Sequence, residues 1–400
     1  MEPGGPAPVG SSALVDDAGI IPWLDRMRDE VPGVRLLDAH THIGSNDPDE
    51  YRCTRQELVE RLERIDAGAI VFPMHEPDGY PPANDMVIAE SEAAGGRLFP
   101  FCRLDPAVRP LDEARRALDA GARGIKLHPR AEGFTLHHPE LQPVFELAHE
   151  RRLPILCHAG RGIPALGRHS IEMCSRYPGL RLILAHAGIS DLSWIWREAA
   201  DHPNLFFDTA WWSPSDVQAL FALVPPGQIL MASDAPYATP AWGALMALRH
   251  GLQVGLSAEV LRELAGGQAM RLLEGEDPLD LGPPAGIDSL SRDPLLERVY
   301  SFLISAIGQM FNGVDPHESL ALARLACDVG QDVPHGPVYE SIVSLLDARA
   351  EYHGEGDGRP RHLAPGVHLI VVAAALARTP DVALPDNPRF EAPAPGSAVT

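Results

Sequence analysis

Short runs of apolar, β-branched and aromatic residues recur along the first two thirds of the chain. They are VRLLDAH (34–40), AIVFP (69–73), LFPFCRL (98–104), RGIKLHP (123–129), LPILCHAG (153–160), LRLILAHAG (180–188), NLFFDTA (204–210) and QILMASDAP (228–236), with starts 24 to 35 residues apart. Between them the apolar positions shift to a spacing of i, i+3, i+4, as in TRQELVERLERID and LDEARRALDA, which predicts helices. Thr54, Asn84 and Ser215 stand where side chains would cap three of these helices. Eight strands alternating with helices predict βα units around a parallel sheet. The unbroken apolar character of the strands fits burial on both faces. Eight such units over residues 34–275 predict an α/β fold, a (β/α)8 TIM barrel of the usual size of about 250 residues. No glycine-rich loop follows the first strand to support an open nucleotide-binding sheet.

The pattern changes past residue 275. Residues 276–294 are rich in Pro, Gly and Asp and read as a linker. Four helical patterns follow, in PLLERVYSFLISAIGQMF, PHESLALARLACDVG, GPVYESIVSLLDARAEY and APGVHLIVVAAALAR. They predict a C-terminal all-α helical domain over 295–380, long enough to bury a core of its own. The first pattern is apolar over more than a narrow stripe, so that helix should be buried in its own domain or against a partner. Residues 1–33 form an N-terminal segment before the barrel, and 381–400 are expected to be a disordered tail.

Composition narrows the function. The hydrophobic fraction of 45% is that of a globular protein, and no apolar run reaches the ~18 residues of a membrane span. The N-terminus has neither the basic region nor the apolar region of a secretion signal. Five widely spaced cysteines, with no C-x-x-C pair, suit a reducing, cytoplasmic setting. The net charge of −22 speaks against nucleic acid, because phosphate binding needs a basic footprint. A small-molecule substrate is expected, with self-association or a protein partner at the helical region left open. Of the 33 basic residues only one is a lysine, Lys126. Arginine bias is the general reading of such a chain, yet this one position keeps an amine.

Barrel active sites lie at the C-terminal ends of the strands. The polar residues there are His40 and His42 on the first strand, Lys126 and His128 on the fourth, His158 on the fifth and His186 on the sixth, then Asp208 and Asp234 on the seventh and eighth. Residues two apart on a strand share a side, so His40 and His42 alone make half of a metal site. Together the eight place histidine, lysine and carboxylate on one rim. Asp208 reads as a cap for the following loop. Cys157 points away from His158 into the core. Trp211 and Trp212 either line a pocket or pack a helix.

DAHTHIG after the first strand, GIKLHP at the fourth, CHAG at the fifth, LAHAG at the sixth and SDAP at the eighth together resemble the amidohydrolase superfamily, in its amidohydrolase-related branch. The resemblance spans 34 to about 275 and does not include the C-terminal helices. It implies metal ligands at His40, His42, His158 and Asp234 around a single ion, with His186 close by next to the reacting water. In binuclear relatives a carboxylated strand-four lysine bridges two ions, which would employ Lys126 with His158 and His186. One metal is the favoured expectation and a second stays open.

Three imidazoles and a carboxylate suit Zn²⁺, with Mn²⁺ or Fe²⁺ as alternatives. The expected enzyme is a metal-dependent hydrolase in which a metal-bound hydroxide attacks an amide, lactone or ester-like bond of a small carboxylated molecule. Asp234 would carry the proton and His186 would hydrogen-bond the reacting oxygen, making these two the catalytic residues. His128 and Arg130 would hold the substrate carboxylate. The same family resemblance admits an alternative, a non-oxidative decarboxylase (a lyase) of a small aromatic or unsaturated acid. A third reading is a barrel that has lost catalysis and serves as an interaction protein.

Overall fold

A computed structural model describes residues 17–290, 292–351, 366–387 and 389–390. Eight parallel strands occur in the order β1 to β8: β1 (Leu36–Ile43), β2 (Ala67–Pro73), β3 (Leu98–Arg103), β4 (Gly124–Leu127), β5 (Pro154–Cys157), β6 (Arg181–Leu184), β7 (Leu205–Asp208) and β8 (Ile229–Leu230). Each pairs with its neighbour in sequence, which is the arrangement of a TIM barrel. β1 runs on through both histidines, with a register shift against β2 between Asp38 and Thr41. β8 is shorter than its apolar run suggests. Residues 231–235 continue its path and join β1 by three hydrogen bonds, from Ala39 N to Met231 O (2.9 Å), Asp234 N to His40 O (2.9 Å) and His42 N to Ala235 O (2.7 Å).

Apolar side chains fill both faces of the strands. Leu37, Ala39, Ile70, Phe101, Leu156, Ile183 and Phe206 belong to one buried cluster, while Leu36, Val71, Cys102, Ile155, Leu182 and Phe207 belong to the larger one that includes the helices. The alternation follows the two-residue period of a strand. A helix precedes the barrel, α1 (Ile21–Glu30). The helices between strands are α2 (Arg55–Arg64), α3 (Pro81–Ala93), α4 (Pro110–Asp119), α5 (Gln142–Arg151), α6 (Leu166–Arg176), α7 (Leu192–Ala199) and α8 (Pro214–Leu223). After β8 come α9 (Pro240–Gln253), α10 (Ala258–Arg262) and α11 (Gln268–Leu273). The first helix was not evident in the hydrophobic pattern, although it buries Trp23, Leu24 and Met27.

Only one of the three expected caps behaves as such. Thr54 caps α2 in a reciprocal box with Glu57. Asn84 instead lies inside α3, which begins at Pro81. Its side chain accepts from Arg103 N (2.8 Å) and donates to Arg103 O (3.1 Å) and Glu113 (2.7 Å), tying the helix to the end of β3. Ser215 is inside α8, and its hydroxyl meets Tyr300 Oη at 2.7 Å.

The remaining helices are α12 (Pro294–Phe311), α13 (His317–Ala326), α14 (Gly336–Glu351) and α15 (Val367–Arg378). α12 and α14 both pack on α15, and α15 also meets α8 of the barrel. Every side chain of α15 from Val367 to Ala377 is buried. Its C-terminal end is held by Gln218 Nε2, which donates to Arg378 O (2.7 Å), and by the buried Arg249, which donates to Thr379 Oγ1 (3.0 Å), Thr379 O (2.8 Å) and Ala383 O (3.1 Å). Residues 1–16 of the N-terminal segment and most of the tail expected to be disordered fall outside the described residues. Within that tail Val382 is buried, and Phe390 N donates to Ser344 Oγ (2.8 Å). Among the described residues no helix is long and apolar enough to cross a membrane.

Asp38 clasps the junction between β1 and the path of β8. Its Oδ1 accepts from His40 N (3.1 Å) and Ser233 N (3.0 Å), and its Oδ2 from Ser233 Oγ (2.5 Å). The carboxyl is fully buried, which raises it to about 6, against the lowering effect of the Ser233 bonds. Asp38→Ala leaves three buried donors without an acceptor, and should lower stability by about 2–4 kcal/mol. Ser233→Ala should cost about 1 kcal/mol. Urea denaturation midpoints measure both, and an Asp38→Ala midpoint equal to wild type would refute the clasp.

Candidate metal centre and catalytic pocket

The seam between β1 and β8 sets the site. His40 Nε2 lies 3.2 Å from His42 Nε2, and Asp234 Oδ1 lies 3.1 Å from each. Asp234 reaches them from within the seam, with its backbone in the left-handed region (φ +64°). His186, at the end of β6, adopts the same region (φ +56°). Such backbone is costly for residues with a Cβ and persists where the surroundings impose it. His40, His186 and Asp234 form a compact group whose ligand atoms all lie within 4.8 Å of one another.

Hydrogen bonds set the tautomers. His40 Nδ1 donates to Asp208 Oδ2 at 2.7 Å, which turns Nε2 toward Asp234 and His42. Burial and Lys126 oppose a charge on this ring, but Asp234 and Asp208 outweigh them and raise its pKa. Asp208 also accepts from His186 N (2.8 Å) and Ala210 N (3.0 Å), so it orients β1 and β6 together rather than merely capping its own loop. Burial opposes its charge, but the His40 ring offsets that and lowers its pKa. His186 Nδ1 donates to Ala210 O at 2.7 Å. Its Nε2 then carries a lone pair and faces His158 Nδ1 at 3.0 Å. The neutral His186 ring has no proton left for a reacting oxygen. Burial lowers its pKa and lowers His42 to about 3, so both rings are neutral.

His158 stands beside this group. Its ring stacks on His128 at 3.9 Å and lies over Gly160, where any Cβ would come within 2.5 Å of the His158 Nε2 atom. A side chain at position 160 would therefore push the His158 ring out of its place. His128 Nδ1 accepts from Ala131 N (3.1 Å), so His128 supports a loop and a neighbouring ring. Lys126 is fully buried. Its Nζ lies 3.3 Å from His40 Nε2 and 4.4 Å from the centre of the Phe72 ring. Burial lowers its amine to about 8. Two buried ring atoms, His42 Nδ1 and His158 Nε2, have no hydrogen-bond partner.

His40, His42, Lys126, His128, His158, His186 and Asp234 open into one cavity of about 710 Å³, with Asp208 buried outside its lining. Arg130 and Arg161 line it, are exposed at its mouth, and have no carboxylate partner among the described residues. Deeper in, Arg103 pairs with Glu132 at 2.7 Å. Trp211 and Trp212 line the cavity, as do Tyr51 and Tyr237. Strand-end reasoning missed Arg103, although it ends β3 and the same rule finds it. His75, just past β2, was missed too, and Arg161 had no signal because it belongs to a loop.

The five cysteines are free and buried. Among solved structures the chain is similar to 5-carboxyvanillate decarboxylase from Sphingomonas paucimobilis, at 16% identity over 60% of this chain and 99% of that one, with a TM-score of 0.49. It is also similar to 2,6-dihydroxybenzoate decarboxylase from Rhizobium, at 14% identity over 60% and 99%, with a TM-score of 0.47. A third is 4-oxalomesaconate hydratase from Rhodopseudomonas palustris, at 16% identity over 60% and 96%, with a TM-score of 0.45. No curated protein matches the chain. A family model described as amidohydrolase matches residues 37–275, more than half of the chain, and the chain therefore belongs to that family and is an enzyme of the amidohydrolase superfamily.

Proposed function

We propose that this enzyme is a metal-dependent hydrolase that cleaves an amide, lactone or ester-like bond in a small carboxylated molecule. The carrying observation is the convergence of His40 Nε2, His42 Nε2 and Asp234 Oδ1 at 3.1–3.2 Å. A divalent ion fits this donor set. Neutral imidazoles and a carboxylate are the ligands of Zn²⁺ and of Mn²⁺ or Fe²⁺, and a carboxylate behind a ligating histidine is the usual means of aiming it, as Asp208 aims His40. His40, His42 and Asp234 would hold the ion, and the facing nitrogens of His158 and His186 would complete the set. When bound, such an ion supplies Lewis acidity toward water and the scissile carbonyl.

The chain's own groups do the rest. Asp234 has its carboxylate partly open to the cavity, with Oδ2 4.0 Å from His186 Nδ1. That oxygen takes a proton from the attacking water and returns it to the leaving group. Because its Nδ1 proton is committed to Ala210, His186 serves as a ligand here and not as a hydrogen-bond donor. Arg130 and Arg161 hold the substrate carboxylate through the guanidinium fork. Lys126 acts as a buried cation beside a single ion, without bridging to a second.

Elemental analysis of the purified full chain should find one equivalent of a divalent metal. His40→Ala should abolish it, and no metal after reconstitution of the wild type would end this reading. Asp234→Asn should lower turnover by at least ~10²-fold, the scale of a lost general acid–base. Product analysis identifies the reaction, since hydrolysis creates a carboxyl group, whereas carbon dioxide release would assign the lyase reaction instead.

Lys126 separates one ion from two. A bridging lysine must combine with carbon dioxide, which an arginine cannot do. Lys126→Arg should keep one metal per chain and lose part of the activity through its bulkier head group. Two metals in the wild type falling to one or none in the variant would overturn the single-ion proposal.

A further inference from the structure

The family match ends at residue 275, yet the catalytic cavity is not complete there. Phe311, the last residue of α12, lines it, and so do Val367, His368 and Val371 of α15, three apolar side chains and one imidazole. The two valines are four apart and share one face of their helix. Phe311 stands edge-on to Trp212, with ring centres 5.0 Å apart at 66°. Trp212 meets Trp211 at 5.6 Å, and Trp211 meets the His186 ring edge-on at 6.0 Å. A continuous aromatic wall thus leads from a histidine of the metal centre to the end of a C-terminal helix.

This wall is fixed in place. Arg378 at the end of α15 stacks over Tyr300 of α12 at 3.9 Å and forms an ion pair with Glu297 of α12. Tyr300 meets Ser215 of α8, and Arg249 of α9 grips the residues after α15. On other parts of the cavity lining stand Lys126, Arg103, Arg130 and Arg161. The cavity volume of about 710 Å³ falls within the 300–1,000 Å³ of pockets that enclose whole drug-sized molecules, more than a carboxylate and a scissile bond require.

We infer that the C-terminal helices form a mainly apolar end of the substrate pocket through Phe311, Val367 and Val371, with His368 its one polar member, and that they select substrates carrying an aromatic ring as well as a carboxylate. The inference rests on the proposed function only in taking this cavity as the place where substrate binds. Aromatic rings prefer the edge-to-face and offset contacts that Trp212 and Phe311 offer. The carboxylate is drawn to the arginines, and the bond to be cleaved comes to lie by the metal centre between them.

Binding to the metal-loaded full chain tests this without turnover. The probes are 4-phenylbutyrate and butyrate, which share a charge and differ by the ring, measured by calorimetry. The phenyl probe should bind at least tenfold more tightly. Phe311→Ala and Val371→Ala should each reduce that ratio severalfold, and Phe311→Tyr should restore most of it. Phe311 is only half-buried at a helix end, so its substitution stands as the test if Val371→Ala does not fold. Equal affinity for the two probes, binding of neither, or an unchanged ratio in Phe311→Ala would overturn the inference. A phenyl preference without hydrolysis would keep the inference and refute the hydrolase, and hydrolysis without the preference would do the reverse.

Discussion

Closure of the barrel between its first and last strands is the constraint on which the site depends. The two segments are nearly two hundred residues apart in sequence. Asp38 and Ser233 lock them, and the backbone bond from Asp234 N to His40 O follows one residue later. With that register, His40, His42 and Asp234 converge. A shift of one residue would turn the histidines toward the helices, because side chains alternate along a strand. Stability and ligand geometry are therefore coupled here. The buried carboxyl of Asp38 is expensive to bury, and the three bonds it accepts offset that cost.

The same economy appears one strand over. Asp208 uses one oxygen to aim His40 and the other to hold the backbone of His186 and Ala210. Through one buried carboxylate, β1, β6 and β7 share a common reference. A protein that needed only a stable barrel could place leucine at this position, as it does elsewhere in the interior. A charged group kept wholly out of water is explained by orientation of a ring, since carboxylate-to-imidazole bonds fix both tautomer and angle.

The barrel and most of its rim were legible in the sequence for a physical reason. Strands buried on both faces read as short apolar runs, and the residue that ends each run is where a barrel places its chemistry. His40, His42, Lys126, His158, His186 and Asp234 all line the one cavity. What stayed hidden depends on partners distant in sequence. Asn84 resembles a cap by composition, but its amide is used up by Arg103 and Glu113. Asp208 looks like a loop residue until the tautomer of His40 is known. Which nitrogen His186 leaves free is hidden until Ala210 O is seen to take the Nδ1 proton. Arg161 carries no pattern at all, since a loop arginine acquires a role only from where the loop lies.

The C-terminal helices show the same limit on a larger scale. Their amphipathic pattern predicts that they are buried but cannot say against what. In the structure α15 is buried on every side, and apolar apart from His368 and the terminal Arg378, because it is enclosed by α12, α14, α8 and the cavity together. A helix that served only to cover α8 would need one apolar stripe. α12 and α14 cover its other faces, and Val367 and Val371 are turned to the cavity that the aromatic wall also lines. Phe311 continues the line of Trp211 and Trp212, so an element outside the family's own span completes the lining of the cavity. In a fold whose strand ends carry the candidate metal ligands, the helices after the barrel add side chains of their own to the cavity, and the proposed preference for an aromatic ring would come from them.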